Sequence, residues 1–306
     1  MNNNVVLTFH AIQDQLWFER TIEFLIANYK IITTDELYLL MNGKKRFKNI
    51  VHITIDDAHR SFYDIIFPIL KKYNVPATLF VSPKIIEERS NFWFQLDKGL
   101  DQEKMIQIIS DEVKIPVSKL INIPYHYVIK CMTIDRIYKI LSEYYVKNNT
   151  PVITPQNISV DQLIEIEKSG LVTIGAHTLT HPILRNESDY VVDNEISDSI
   201  NKLKLMLGRS VDYFAYPNGQ PGLDFGQREI KILRNNNIKL AFAGEHRTFN
   251  WGSDTLCIPR IGFSYGTTKM LRMKIIMGYH WSHLKAFQTL QEEKLRKRVY
   301  NLIYEN

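Results

Sequence analysis

Short apolar runs rich in β-branched residues alternate with segments of helical periodicity along most of this 306-residue chain. Val5 to Phe9 predicts a buried strand, and Trp17 to Tyr29 repeats apolar residues at helical spacing. The same alternation predicts strands at 50–55, 76–81, 171–174, 213–216 and 238–243, and helices at 61–73, 160–169, 190–207 and 228–236. Strands that alternate with helices form a parallel sheet faced by helices, either open or closed as a barrel.

Two segments depart from this alternation. Residues 86–155 are helical, charged and aromatic in pattern, which predicts a helical insertion. Residues 281–304 predict an amphipathic helix. We therefore expect one domain over 1–265 and a C-terminal helical extension over 266–306. The helix carries four cations, namely Lys294, Arg296, Lys297 and Arg298. A solvated charged face is one interpretation of these cations, and contact with an anionic membrane or nucleic acid is the other.

Composition sets limits on the partners and the compartment. The net charge of +5 over 306 residues is too small to indicate nucleic-acid binding. Met1 to Asn4 carries no cation, the apolar run after it is shorter than a signal sequence needs, and no stretch is long enough to span a membrane. We expect a cytoplasmic protein, with peripheral membrane contact as an alternative. Cys131 and Cys257 are expected to be buried thiols rather than a disulfide or a metal pair.

Titratable side chains follow several of the predicted strands. His10 follows the first strand, and Asp56 and Asp57 follow the second. His177 and His181 follow the strand at 171–174. In a parallel sheet, ligands bind outside the carboxyl ends of the strands. We therefore expect these side chains to converge on one rim.

Two histidines and a carboxylate at this rim favour a metal site. His177 and His181 are four residues apart, a spacing that brings both imidazoles to one side of a turn. Taken alone, such a pair is more often two surface or capping histidines. Asp57 favours the metal, because two histidines and one carboxylate with an open position form a catalytic metal arrangement.

The paired aspartates allow a division of roles. If Asp57 binds a metal ion, Asp56 is free to act as the base on the metal's water. In the alternative, one aspartate caps the helix that begins near Ser61 and the other is solvated. Two charges at the end of an apolar strand are costly without a nearby cation, which favours the first interpretation.

Three motifs in order resemble those of the polysaccharide deacetylases, the NodB-homology or carbohydrate esterase family 4 group. The first is Thr54-Ile55-Asp56-Asp57 together with residues 68–73 and 76–81. The second is Gly175-Ala176-His177-Thr178-Leu179-Thr180-His181-Pro182, similar to a His-Ser/Thr-x-x-His metal pair. The third is Phe214-Ala215-Tyr216-Pro217-Asn218-Gly219. The resemblance extends from about Val5 to Phe263 and is weakest in the insertion.

This resemblance implies a distorted (β/α) barrel that binds a divalent metal, usually zinc, and removes the acetyl group of an N-acetylated sugar or glycan. Position by position, it implies Asp56 as the catalytic base and Asp57, His177 and His181 as the metal ligands. The resemblance also implies that the backbone N–H of Asn218 lies where the family binds the oxyanion of the intermediate.

The chain also departs from the family pattern. The third motif commonly contains an arginine that orients the base, and Ala215 stands in its place. Arg260, after the last expected strand, is our candidate substitute. Ala58 stands where the family often has glycine. One branch of the family places a histidine after its first strand, so we assign His10 as the general acid. The alternative for His10 is packing beside Phe9.

Other candidate residues have structural interpretations. We expect His52, His59 and His126 to be structural, and Trp93 to pack inside the insertion rather than stack on a sugar. The late histidines His246, His280 and His283 have no context that matches the family.

Two further functional hypotheses stay open. The same residues suit an amidase or O-deacetylase acting on another small substrate. The missing motif arginine and Ala58 are also compatible with a catalytically silent barrel that binds a glycan or a partner enzyme.

Overall fold

A computed structural model of the chain describes residues 4–44, 48–249 and 252–305, without the side chains of 279–288. The strands are β1 (Val5–Phe9), β2 (Lys30–Ile31), β3 (Ile50–Ile55), β4 (Ala77–Val81), β5 (Val172–Ala176), β6 (Tyr213–Ala215), β7 (Leu240–Phe242) and β8 (Ile261–Gly262). The helices are α1 (Gln15–Asn28), α2 (Thr34–Met41), α3 (Phe67–Tyr73), α4 (Pro83–Glu87), α5 (Trp93–Leu96), α6 (Gln102–Val113), α7 (Val117–Leu120), α8 (Tyr125–Ile129), α9 (Ile134–Lys147), α10 (Val160–Lys168), α11 (Asp189–Leu207), α12 (Gln227–Asn235) and α13 (Thr268–Tyr304).

The strands form one curled parallel sheet. Its order is β7-β6-β5-β4-β3-β1-β8, and β2 pairs with the beginning of β3. A parallel bridge between Phe242 and Ile258 joins β7 to the segment that precedes β8, so the two edges of the sheet approach each other. The distorted (β/α) barrel expected from the sequence is confirmed, and the carboxyl ends of its strands share one rim.

Successive residues of the strands point into two different apolar clusters. Leu7 and Phe9 of β1 belong to the large cluster, which also contains apolar residues of the surrounding helices. Val6 belongs to a smaller cluster with Phe80 and Phe242. Because side chains alternate along a strand, this smaller cluster is the barrel interior. Both faces of the sheet are buried, which explains why its strands read as continuous apolar runs in the sequence.

Capping residues begin and end the long helix that follows the second motif. The Ser188 side chain accepts a hydrogen bond from the Val191 N–H at the start of α11, and Gly208 (φ 69°) ends this helix in the left-handed conformation. At α10, the Ser159 side chain accepts from the Gln162 N–H in a capping box. The periodicity of the sequence predicts both helices, and the structure adds the capping contacts at their starts.

The insertion is helical, as expected, and has an apolar core of its own. Helices α5 to α9 bury a cluster that includes Ile106, Ile109, Ile137 and Leu141, separate from the barrel clusters. Ile183, just after the second motif, also belongs to this cluster. The insertion is therefore packed directly against the chain that carries His177 and His181.

The C-terminal helix α13 connects the barrel to the insertion. Leu271 and Ile275 are buried in the large barrel cluster, and Val299 is buried in the insertion cluster. Between these contacts the helix bends at Gly278, whose φ of 41° is non-helical. The predicted C-terminal helix is confirmed, whereas the division of the chain at residue 265 stays a prediction.

The cations near the end of α13 do not form one solvated face. Arg296 is 6% exposed, and its guanidinium contacts Asp224 at 2.7 Å and Glu292 at 2.6 Å. The expectation that Arg296 belongs to an exposed cluster is wrong, because two carboxylates compensate its buried charge. The exposed cations are Lys294, Lys297 and Arg298. In the described parts of the chain, none of the helices combines the length and hydropathy that a membrane-spanning segment requires.

Gly175 provides a test of the close packing of β5. A Cβ at this position would lie 2.5 Å from Phe80 Cε1 and 2.9 Å from the backbone oxygen of Tyr213. We expect Gly175→Ala to lower the free energy of unfolding by about 1–3 kcal/mol, because the core cannot accommodate the added methyl group without distortion. Urea unfolding measures this change. Thr173→Ala, in the same strand, is the control, and an equal loss in both variants would contradict the expectation.

Candidate metal centre

Asp57, His177 and His181 lie together at the carboxyl end of the sheet. Asp57 follows β3, and the two histidines follow β5. Asp57 Oδ1 lies 3.5 Å from His177 Nε2 and 3.6 Å from His181 Nε2. All three side chains are buried, and each offers a ligand atom within 4.8 Å of the others. The residues predicted as metal ligands thus form one compact group.

The donor atoms of this group suit a divalent cation. The Nδ1–H of His177 donates to the carbonyl of Ala215 at 2.7 Å, which leaves the Nε2 lone pair facing Asp57. Burial lowers the pKa of His181 to about 3, so this ring is neutral at neutral pH. Among the described residues, the buried Asp57 Oδ1 has no hydrogen-bond partner. A buried carboxylate oxygen facing two imidazole nitrogens fits a metal ligand set.

Left-handed backbone conformations at and beside the candidate metal ligands set the directions of their side chains. Asp57 and Ala58 have φ values of 69° and 49°, and Thr178 and His181 have φ values of 62° and 64°. Each such residue costs about 1–2 kcal/mol relative to a right-handed conformation. At Asp57 the chain changes direction, two residues after the end of β3. Ala58, at the position where the family often has glycine, still takes the positive φ, and its carbonyl accepts from the Ile158 N–H at 3.0 Å.

Asp56 is held by a buried bidentate ion pair with Arg260. Arg260 Nη1 and Nη2 donate to the two carboxylate oxygens at 2.7 and 2.8 Å, and Nη1 also lies 3.2 Å from Thr54 Oγ1. Burial by itself would raise the pKa of Asp56, but the guanidinium of Arg260, together with the nearby His177 and His10, outweighs burial and holds the pKa below its usual range. The structure therefore places Arg260 beside the aspartate that the missing motif arginine would contact.

His10 and Asn218 lie on the same rim. His10 Nε2 is 3.8 Å from Asp56 Oδ2, and its side chain is 48% exposed. The alternative in which His10 only packs beside Phe9 is not favoured by this exposure. Asn218 follows β6 with a φ of 55°, and in the described chain no acceptor is bonded to its backbone N–H.

Trp93 packs inside the protein rather than at its surface. Its side chain is buried in the insertion cluster, and its indole N–H donates to the carbonyl of His181 at 3.0 Å. The rings of Phe92 and Phe94 flank the His181 ring at 5.5 and 4.9 Å. The insertion thus supports the second metal-site histidine directly.

The remaining sequence candidates are structural where the structure describes them. His52 is buried between the Ile32 carbonyl and the Thr78 hydroxyl, and burial lowers its pKa to about 4. The His59 ring bonds Ser61 Oγ at 2.9 Å, and the His126 ring packs on Tyr127. Cys131 is buried and Cys257 is half-buried, and neither is in a disulfide. The His246 ring lies beside Gly262, whereas the side chains of His280 and His283 lie outside the described residues.

One buried carboxylate at the site was not predicted. Glu195, in α11, contacts the backbone of Leu179 and Thr180, between the two histidines. No local pattern distinguishes it from the other acidic residues of an amphipathic helix, so the sequence carried no signal for it.

Comparison with known proteins shows the family to which the chain belongs. The family described as polysaccharide deacetylase matches residues 43–115 and 130–241, more than half of the chain. The chain therefore belongs to the polysaccharide deacetylase family, whose members are metal-dependent hydrolases that act on amide C–N bonds of acetylated polysaccharides. No curated protein matches the chain in sequence.

Solved structures share the fold at low identity. The deacetylase PplD of Streptococcus pyogenes, in complex with acetate, is 19% identical with a TM-score of 0.61, covering 89% of this chain and 97% of PplD. IcaB from Ammonifex degensii is 19% identical with a TM-score of 0.60, covering 89% and 95% of the two chains. A de-N-acetylase from Aggregatibacter actinomycetemcomitans is 20% identical with a TM-score of 0.58, covering 88% and 98%.

The ion pair between Arg260 and Asp56 leads to a stability prediction. Arg260→Met leaves a buried carboxylate without its cation, so we expect the free energy of unfolding to fall by about 3–5 kcal/mol. The double variant Asp56→Asn/Arg260→Met removes both charges and should recover part of this loss. Urea unfolding of the metal-free proteins measures the free energy of unfolding of the single and the double variant.

Arg209→Met is the matched control, because Arg209 pairs with Glu167 in a partly exposed position. Its loss should stay within about 1 kcal/mol. A double variant no more stable than Arg260→Met would contradict the ion-pair argument.

Proposed function

We propose that this protein is a metal-dependent deacetylase that removes the acetyl group from an N-acetylated sugar or glycan. The observation that carries the proposal is the buried group of Asp57, His177 and His181 beside the ion-paired Asp56 on one rim of the barrel. Membership of the polysaccharide deacetylase family supports the acetyl group and the amide bond.

Asp57, His177 and His181 would hold the metal, which we propose to be zinc. Two histidines and a carboxylate leave an open position for water and substrate, the arrangement of catalytic rather than structural zinc sites. When bound there, a divalent metal polarises the amide carbonyl and lowers the pKa of a bound water.

Asp56 is the proposed general base. Its ionised form is favoured by Arg260, so it is ready to accept a proton from the attacking water. The bidentate contact also fixes the orientation of the carboxylate, because both of its oxygens are held by the same planar guanidinium. We assign Arg260 as the residue that orients the base.

Asn218 and His10 complete the proposed chemistry. As water adds to the amide carbon, negative charge develops on the carbonyl oxygen, and the unbonded N–H of Asn218 is suited to donate to it. The leaving amine must gain a proton as the C–N bond breaks. His10 is half-exposed on the rim and 3.8 Å from Asp56, a position from which it can donate that proton.

Assays of product and metal test this proposal. Purified protein is loaded with Zn²⁺, and acetate release is measured on a panel of N-acetylated sugars, O-acetylated sugars and small amides. Acetate from the N-acetylated sugars is the expected result. Release from the O-acetyl esters or other amides alone would favour the amidase or O-deacetylase hypothesis. Glycan binding without any turnover would favour the silent barrel.

Substitution of the two aspartates separates base from ligand. We expect Asp56→Asn to retain zinc and lose turnover by a factor of about 10²–10⁴, the usual effect of removing a general base. Asp57→Asn should lose zinc affinity instead, because a neutral amide is a weaker ligand than a carboxylate. Zinc content and acetate release are measured on both variants. Identical behaviour of the two would overturn the division of roles.

His10→Gln tests the general acid. We expect it to retain zinc and to lower kcat for amides much more than for activated esters, whose leaving groups need no proton. The alkaline limb of the pH–rate profile, along which a general acid loses its proton, should flatten. Equal losses on amides and esters, or normal amide turnover, would remove His10 from the mechanism.

A further inference from the structure

The loop that carries both metal-site histidines is held at its centre by one carboxylate. Glu195 Oε2 accepts hydrogen bonds from the backbone N–H groups of Leu179 at 2.9 Å and Thr180 at 3.0 Å. Its Oε1 accepts from the Thr180 hydroxyl at 2.6 Å. The backbone carbonyl of Glu195 lies 3.1 Å from the same Leu179 N–H. One residue of α11 thus contacts Leu179 and Thr180, two of the three residues between His177 and His181.

The Glu195 carboxylate is buried, so it needs the hydrogen-bond donors of the loop. Glu195 is 6% exposed, and no lysine or arginine of the described chain forms an ion pair with it. A buried carboxylate in such a position depends on the donors that it accepts from, which here all belong to the loop. The contact is therefore reciprocal, because the loop satisfies the carboxylate and the carboxylate fixes the loop.

The loop needs such support, because its conformation is unfavourable without it. Thr178 and His181 both have positive φ values, on either side of the two residues that Glu195 binds. Strained conformations persist where surrounding contacts over-determine them. The ends of the loop are held by other groups, since Ser82 Oγ donates to the His177 carbonyl and Trp93 to the His181 carbonyl. In the described chain, side-chain hydrogen bonds to Leu179 and Thr180 come from Glu195 alone.

We propose that Glu195 is a positioning residue that holds the His177–His181 loop in the form that binds metal. This inference rests on the proposed function, because it requires that the two histidines are ligands. Glu195 touches neither the metal site nor the reacting atoms; it acts through the backbone between the histidines. Without Glu195, the imidazoles are no longer pre-arranged beside Asp57. Metal binding must then also order the loop, which lowers the affinity for the metal.

Zinc affinity tests the proposal. The dissociation constant of Zn²⁺ is measured on the full chain by competition with a chromophoric chelator. Glu195→Ala should raise it about 10–100-fold, the usual effect of losing a residue that orients metal ligands. Glu195→Gln should give a smaller increase, because its amide oxygen still accepts from the backbone.

Glu187→Gln is the matched control. Glu187 is also 6% exposed and also accepts from a backbone N–H, that of Ile134 at 2.6 Å, but it anchors the insertion rather than the loop. Its zinc affinity should match that of the wild type even where its thermal stability falls. Equal zinc affinity in Glu195→Ala and the wild type, or equal losses in Glu195→Gln and Glu187→Gln, would overturn the proposal.

Thr180→Val tests whether Glu195 affects zinc affinity through its contact with Thr180. This substitution removes one donor to Glu195 and should weaken zinc binding in the wild-type background. In the Glu195→Ala background it should have no further effect. Additive losses would show that the two residues act separately, against the proposal.

Hydrogen exchange of the metal-free proteins gives a readout without metal. The amides of Leu179 and Thr180 should be protected in the wild type and exchange faster in Glu195→Ala, with helix α11 unchanged. Unaltered protection would overturn the proposal. A wild-type protein that takes up no divalent metal would overturn the proposed function and this inference together, whereas tight wild-type binding retained in Glu195→Ala would overturn this inference alone.

Discussion

The burial of two adjacent carboxylates at the end of β3 is the constraint on which the rest of the site depends. Asp56 and Asp57 are 3% and 7% exposed, and ionised carboxylates in such surroundings need compensating charge or donors. The fold supplies these from two directions, because Arg260 approaches Asp56 from the segment before β8, while His177 and His181 approach Asp57 from β5. Separate partners keep the neighbouring carboxylates chemically distinct, which the proposed roles of base and metal ligand require.

This arrangement depends on backbone conformations that the chain would not adopt by itself. Asp57 and Ala58 take positive φ values after β3, and Thr178 and His181 do so after β5. The cost is offset by contacts from other elements of the fold, among them the bonds of Glu195 to the loop between the histidines. The site is therefore a product of the whole barrel rather than of the motifs that contribute its side chains.

The insertion and the C-terminal helix are also connected to the rim. Lys130 of the insertion and Arg296 of α13 both contact Glu292, and Arg296 also binds the buried Asp224. Asp224 lies six residues beyond Asn218, in the segment that follows β6. This chain of ion pairs joins three parts of the fold. Because a buried charge that loses its partner is strongly destabilising, movement of any one part is opposed by the others.

The sequence by itself determined the alternation of strands and helices, because hydrophobic period is a local property. It also determined which residues are the candidate metal ligands, Asp57, His177 and His181, because parallel strands present their carboxyl ends on one rim. Through its resemblance to the family, the sequence also suggested Arg260 as a substitute for the missing arginine that orients the base. The tertiary structure decided what depends on contacts between distant residues. Arg296 is buried rather than solvated because two carboxylates meet it, and Glu195 reaches the histidine loop because α11 packs beside β5. No local pattern encodes either contact, since each is set by how the elements pack.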